Sequence, residues 1–255
     1  MFKNMIYFDS QKVAEYKAVL EGKKHVAIKN VKISSSKSLD AKISVFSGGI
    51  GGSNEMEGEL IDNLVLDCNE FEELLEKKGG DYYFDLMTTD YDIDTITRSS
   101  IISFEGSISI PNEFDMMELI NQFKPLLISS MNLANAQEEE IFKKIFEKEN
   151  TKIPIFIKSN RLGERQGFTK LTSTELFGGM EALEDYEEEE LTFIAKITSR
   201  KQVTDKPIVV FDIMKDLFSI SRGLRRQMGQ NEIEGIENIK SDRDTLELEV
   251  LAIYR

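Results

Sequence analysis

Three times in this 255-residue chain an apolar stretch runs into an aspartate and then into a segment with helical spacing. The junctions are Phe8-Asp9, Phe114-Asp115-Met116-Met117 and Phe211-Asp212-Ile213-Met214. An aspartate at such a point accepts hydrogen bonds from the first N–H groups of a helix, groups that have no partner inside the helix itself. Each junction therefore reads as strand, cap, helix, and a chain built from such units is an α+β protein. The expected fold is a set of mixed or antiparallel sheets with helices packed on one face. The second and third junctions share Phe-Asp-x-Met, which suggests two similar halves, 1–150 and 151–255, meeting near residue 150.

Between the junctions the periodicity changes repeatedly. Val13, Tyr16 and Leu20 are spaced by three and four, which predicts a helix closed by Gly22. Alternation at 25–33 and 41–46 predicts two strands around a Ser/Gly-rich flexible loop spanning 34–53. Leu60–Leu66 fits strand or helix. Asp67 and Asn69 would cap a helix over 71–78, stopped by Gly79-Gly80. Short strands follow at 82–87 and 101–110, the latter with a bulge at Gly106. Helices are expected after a cap at Asn112 or Asp115, with a break at Pro125, and over 137–148. Next come a strand at 151–158, a turn of helix at 172–177, a strand pair at 191–197 and 207–211, a helix from Asp212 to about 227, and a final strand at 245–254. That last strand is apolar enough to be central or well covered.

The side-chain inventory excludes more chemistry than it supports. Cysteine and histidine each occur once, as Cys68 and His25. A zinc centre wants several such ligands, and any Ser–His–Asp arrangement would have to use His25. His25 reads as an exposed residue at a strand entry and Cys68 as a small buried hydrophobe. One cysteine permits no internal disulfide, which points to a cytoplasmic setting. No window resembles a membrane span, and the N-terminus lacks the apolar core of a signal peptide. The glycine run 47–53 lacks the lysine and hydroxyl of a phosphate loop. Asp90, Asp92 and Asp94 imitate the start of a calcium loop, but Thr95 and Ile101 stand where glycine and glutamate belong. The three aspartates remain candidates for a divalent metal. No cofactor is expected.

Acids outnumber bases 46 to 32, a net charge of −14. Phosphate backbones repel such a chain unless its basic residues are concentrated locally, so direct nucleic-acid contact is not expected. The acidic run Glu184–Glu190 reads as a solvated loop. Candidate anion ligands are Arg222, Arg225 and Arg226, with Arg161, Arg165 and Lys170 as neighbours, because arginine forks suit phosphate. A helix C-terminus stabilises Arg225 and Arg226 equally well.

Ile6-Tyr7-Phe8-Asp9 through Tyr16, the Ser/Gly-rich stretch, and Leu251-Ala252-Ile253-Tyr254-Arg255 resemble an uncharacterised bacterial family of unknown function. The resemblance supplies no catalytic residues. It implies a bacterial or mobile-element protein, linked to phage conflict. The expected function is that of a non-enzymatic cytoplasmic binding or regulatory protein with a protein partner. The alternatives are a nucleotide- or phosphate-ligand protein with Mg-dependent hydrolysis, and an acidic decoy of a DNA-binding partner. The oligomeric state stays open.

Overall fold

The computed structural model describes residues 3–22, 53–114, 152–212, 215–216 and 238–255, with side chains of the second stretch from residue 63. His25, most of the glycine run, the helices expected over 115–148, and Arg222, Arg225 and Arg226 lie outside the described residues. The chain combines helices with a mixed sheet, as expected for an α+β protein, and divides into two compact units. One holds Met1–Lys3 and Ser10–Gly80; the other holds Asn4–Asp9 and Asp81–Arg255.

The first unit contains α1 (Ser10–Leu20) and α2 (Ser53–Lys78). Lys17 ties them together, its Nζ lying 2.9 Å from Glu70 and 3.4 Å from Asp67. Gly22 takes φ +69° just past α1, the left-handed conformation that closes a helix and that only glycine adopts without strain. The segment 60–66 is helical, and Asp67 and Asn69 lie inside α2 rather than capping a shorter helix. No proline interrupts this run, so propensity carries the helix straight through. Cys68, Phe71 and Leu75 recur at helical spacing and are all buried.

The second unit is built on a barrel. Its strands are β1 (Met5–Phe8), β2 (Tyr83–Asp85), β3 (Ile101–Ser109), β4 (Lys152–Lys158), β5 (Gln166–Thr172), β6 (Leu191–Lys201) and β9 (Thr245–Tyr254). A separate ribbon pairs β7 (Ile208–Phe211) with β8 (Ile239–Ser241). The strand pair expected from 191–197 and 207–211 is therefore corrected. β6 pairs with β3 and β9, and β7 finds its partner in 239–241, a polar stretch with little strand signal of its own. Gly106 sits in unbroken register opposite Leu191 and forms no bulge.

Five strands close a ring. β3 pairs antiparallel with β4, β4 with β5, β6 with β3 and β6 with β9; β5 and β9 close it in parallel. The short helix α3 (Gly179–Glu184) lies between β5 and β6 and buries Leu183 in the core. In chain order the first three barrel strands form a meander, the first also pairs with the fourth, and the third and fifth run parallel. This is the connectivity of the OB-type Greek-key barrel. β1 adds to the end of β9 that β5 does not reach, and β2 adds in parallel to the start of β3 that β4 does not reach. Because β3 and β4 are neighbours in one ring, no boundary between separate sheets falls at residue 150.

Alternation along each strand decides what fills the ring. Ile102, Phe104, Ile108, Ile153, Ile155, Ile157, Leu171, Phe193, Ala195, Ile197, Leu246 and Leu248 form one core. Phe104 and Phe193 stand opposite in register and stack with centroids 5.2 Å apart. Gly167 points inward too, where a Cβ would come within 3.0 Å of Ile157.

Candidate functional site

Two places on the barrel unit gather polar and charged side chains. The first is a polar cleft of about 650 Å³. It lies between the Asp90–Ile93 loop, the Glu105–Ser107 end of β3, and the loop from Lys158 to Gly163. Ser159 builds this corner: its hydroxyl donates to the Glu105 carbonyl and accepts from Arg161 N–H at 3.1 Å. Tyr91 stands at the cleft, 40% exposed, edge-on to Phe84 at 5.2 Å. Arg200 holds the loop from inside. Its Nη2 donates to the carbonyls of Ile93 and Ile96. Burial pulls this guanidinium below its ordinary range, Arg165 and Arg98 add to the effect, and Asp94 opposes it.

The aspartates distribute themselves along this loop. Asp90 and Asp92 line the cleft, and the Asp92 carboxylate accepts the N–H of Asp94 at 2.9 Å. Asp94 pairs with Arg165 at 2.5 Å beside a second, smaller cleft. Among the described residues, no group of three His, Cys, Asp or Glu side chains is placed to hold a metal ion. Arg161 lines the first cleft with Lys158, and Arg165 belongs to the second. Lys170, on β5, instead engages Asp216 at 2.6 Å. The basic residues grouped by sequence proximity thus reach three different surroundings.

The acidic run Glu184–Glu190 is more than a solvated loop. Glu187 accepts the N–H of Ile110 at 2.6 Å, and Glu189 pairs with Arg255 at 2.8 Å. Glu188 and Glu190 turn toward the first cleft.

The second place is the outer face of β4 and β5, and sequence reasoning missed it. Ile153, Ile155 and Ile157 point into the barrel, so Lys152, Pro154, Phe156 and Lys158 point out. On β5 the outward set is Gln166, Phe168, Lys170 and Thr172. Register places Phe156 opposite Phe168 and Pro154 opposite Lys170. The two rings contact at 5.3 Å with a 58° tilt; Phe168 is buried and Phe156 half-buried. Three lysines therefore surround an aromatic pair on two adjacent strands. The signal was present as Lys-x-Pro-x-Phe-x-Lys at 152–158 and Gln-x-Phe-x-Lys at 166–170, both with period two.

Phe211, Asp212, Lys215 and Asp216 of the β6–β9 connection lie at this face. Phe211 lies under the Lys170 ammonium, 5.4 Å from Nζ to ring centroid. The Asp212 carboxylate accepts the N–H of Lys215 at 3.0 Å, the reach of an N-cap, as its sequence position suggested. Asp216 reaches back to the N–H of Asp212 at 3.1 Å while holding Lys170.

Topology places this chain among five-stranded barrels of the OB type, elaborated by two extra strands, a β-ribbon and a helical unit. It belongs to the family described as Domain of unknown function (DUF6414), whose model matches residues 2–254. That agrees with the resemblance at its two ends. No curated protein and no solved structure matches the chain.

Proposed function

We propose that this protein is a non-enzymatic binding protein whose ligand lies across the outer face of β4 and β5. The ligand class that suits this face is a single-stranded nucleic acid. The carrying observation is the half-buried Phe156 ring, backed by the fully buried Phe168, with Lys152, Lys158 and Lys170 around it on two adjacent strands. Bases of any sequence stack on an aromatic ring, and lysines track the backbone phosphates. In OB-type barrels generally, the second and third strands, here β4 and β5, form the binding face, flanked by the first-to-second and fourth-to-fifth strand connections. That correspondence is an analogy at the level of fold; the side chains on the face are the specific support.

The overall charge of −14 is the objection. It holds for a chain whose lysines are dispersed, and it weakens where three of them share one surface. A cytoplasmic setting goes with the single buried cysteine, and a bacterial setting in phage conflict goes with the resemblance. Both belong to this reading.

Fluorescence anisotropy of a labelled 12-nucleotide oligodeoxythymidylate tests the reading. Binding should appear at low salt and weaken as salt rises. Phe156→Ala should cost about 1–3 kcal/mol, the usual loss for one stacking ring, and Lys158→Ala should flatten the salt dependence. Absence of binding at low salt, or variants that bind like the native chain, would refute it.

A further inference from the structure

We propose that Asp216 is a built-in competitor for this face, its carboxylate standing where a ligand phosphate would sit on Lys170. The inference rests on the binding reading above and adds its regulation. Lys170 Nζ is held from two sides, by Asp216 at 2.6 Å and by the Phe211 ring at 5.4 Å. Its charge also reaches Glu247, on the neighbouring β9. Asp216 is the more enclosed partner, with 13% of its side chain exposed against 28% for Lys170.

Asp216 is positioned for this contact. Asp212 caps Lys215, and Asp216 bonds the Asp212 N–H with the same Oδ2 that takes Lys170. One carboxylate oxygen therefore holds the Asp212 N–H and occupies the lysine together. A phosphate oxygen arriving at Lys170 must displace it. Such a device lets a strongly acidic chain carry a cationic face without exposing all of it. It would favour long anionic chains, which gain Lys152 and Lys158 in the same event, over single phosphates.

The test compares native protein with Asp216→Asn on the 12-nucleotide oligodeoxythymidylate over a salt series. Affinity should rise about two- to fivefold, the worth of a partly exposed ion pair. The salt slope should steepen by about 0.7, one further phosphate contact on a single strand. In a Lys170→Ala background the Asp216→Asn gain should vanish. A measurement on native protein needs no folded variant: saturating oligonucleotide should speed tryptic cleavage after Lys215, since Asp216 is released. Native binding with unchanged affinity and slope in Asp216→Asn, or cleavage after Lys215 that slows or stays constant, overturns the competitor and leaves the binding reading standing. No binding by either protein overturns both.

Discussion

Gly106→Ala isolates the packing that joins the barrel to its polar cleft. Gly106 lies in β3 between the Phe104 layer of the core and the point where β4 begins to pair, at Ser107 opposite Lys158. An alanine Cβ there would stand 2.7 Å from the Lys158 carbonyl oxygen and 3.1 Å from Ser159 Cβ. The nearest obstacle is backbone, so rotamer change cannot relieve it. Moving β3 would disturb its ladders to both β4 and β6, and moving Lys158 would disturb the Ser159 bridge to Glu105. Overpacking of this kind costs about 1–3 kcal/mol. Alanine recovers roughly 0.5–1 kcal/mol through the lower entropy of its unfolded chain. The net expectation is a loss of about 1–2 kcal/mol. Gly167→Ala is the milder comparison, because its Cβ would stand 3.0 Å from Ile157 Cβ, 3.2 Å from Leu162 Cδ1 and 3.3 Å from the Ile157 carbonyl oxygen, each longer than the 2.7 Å at Gly106. Urea unfolding followed by far-ultraviolet circular dichroism would measure both, with an unchanged m-value showing that stability alone moved. A Gly106→Ala protein as stable as the native one, or a larger loss for Gly167→Ala, would refute the assignment of backbone contact as the cause.

Two further outcomes follow from ionisation. Burial pushes the Cys68 thiol up to about 12, only partly offset by Lys3, so at pH 8 native protein should react with iodoacetamide far more slowly than urea-unfolded protein, by mass spectrometry; equal rates would contradict it. Burial raises the Glu247 carboxyl, but Lys201, Ser199 and Lys170 outweigh it and hold it below its ordinary 4.5. A depressed folded pKa stabilises above the unfolded value and is lost as pH falls through the folded one. The stability gap between native protein and Glu247→Gln should therefore be widest near neutrality and close below about pH 4.5; a gap that is flat with pH would contradict the pairing.

What the sequence makes legible is local, and what it hides is pairing. Alternation marks β3, β4 and β9 because each buries one face in a barrel whose interior is mainly apolar, with Thr169 among the buried exceptions. It cannot say that β5 and β9 lie side by side in parallel, since that contact joins residues 166–168 to 245–247. It misassigns β7 because Ile208–Phe211 is apolar by itself, while the polar Ile239–Ser241 shows its strand character only when paired. Helix α2 is misread for a different reason: Asp67 and Asn69 look like caps, yet a good helix former tolerates them when Lys17 supplies an ion pair. The candidate site follows the same division. The loop aspartates and arginines attract attention because like residues are adjacent in sequence, but folding sends Arg161, Arg165 and Lys170 to different partners. The lysines of β4, Lys152 and Lys158, are separated by apolar residues and escape notice, and Lys170 is picked out without them.

Charge shows why that separation matters. A count of 46 acids against 32 bases describes the average surface, and an average says little about one face. Period-two spacing projects every second residue of two neighbouring strands to the same side, so it can collect lysines that composition dilutes. Some of the acid has structural partners of its own: Glu72 with Lys3, Glu70 with Lys17, Asp94 with Arg165, Glu247 with Lys201 and Glu189 with Arg255. Each such pair takes one carboxylate and one cation together, so the net charge stays at −14 and only its distribution over the surface changes. Asp216 differs because the lysine it neutralises belongs to the aromatic face. If the proposed reading holds, binding of an anionic strand depends less on the net charge than on the contest at Lys170, between one carboxylate held close by its own chain and a row of phosphates that also engages Lys152 and Lys158.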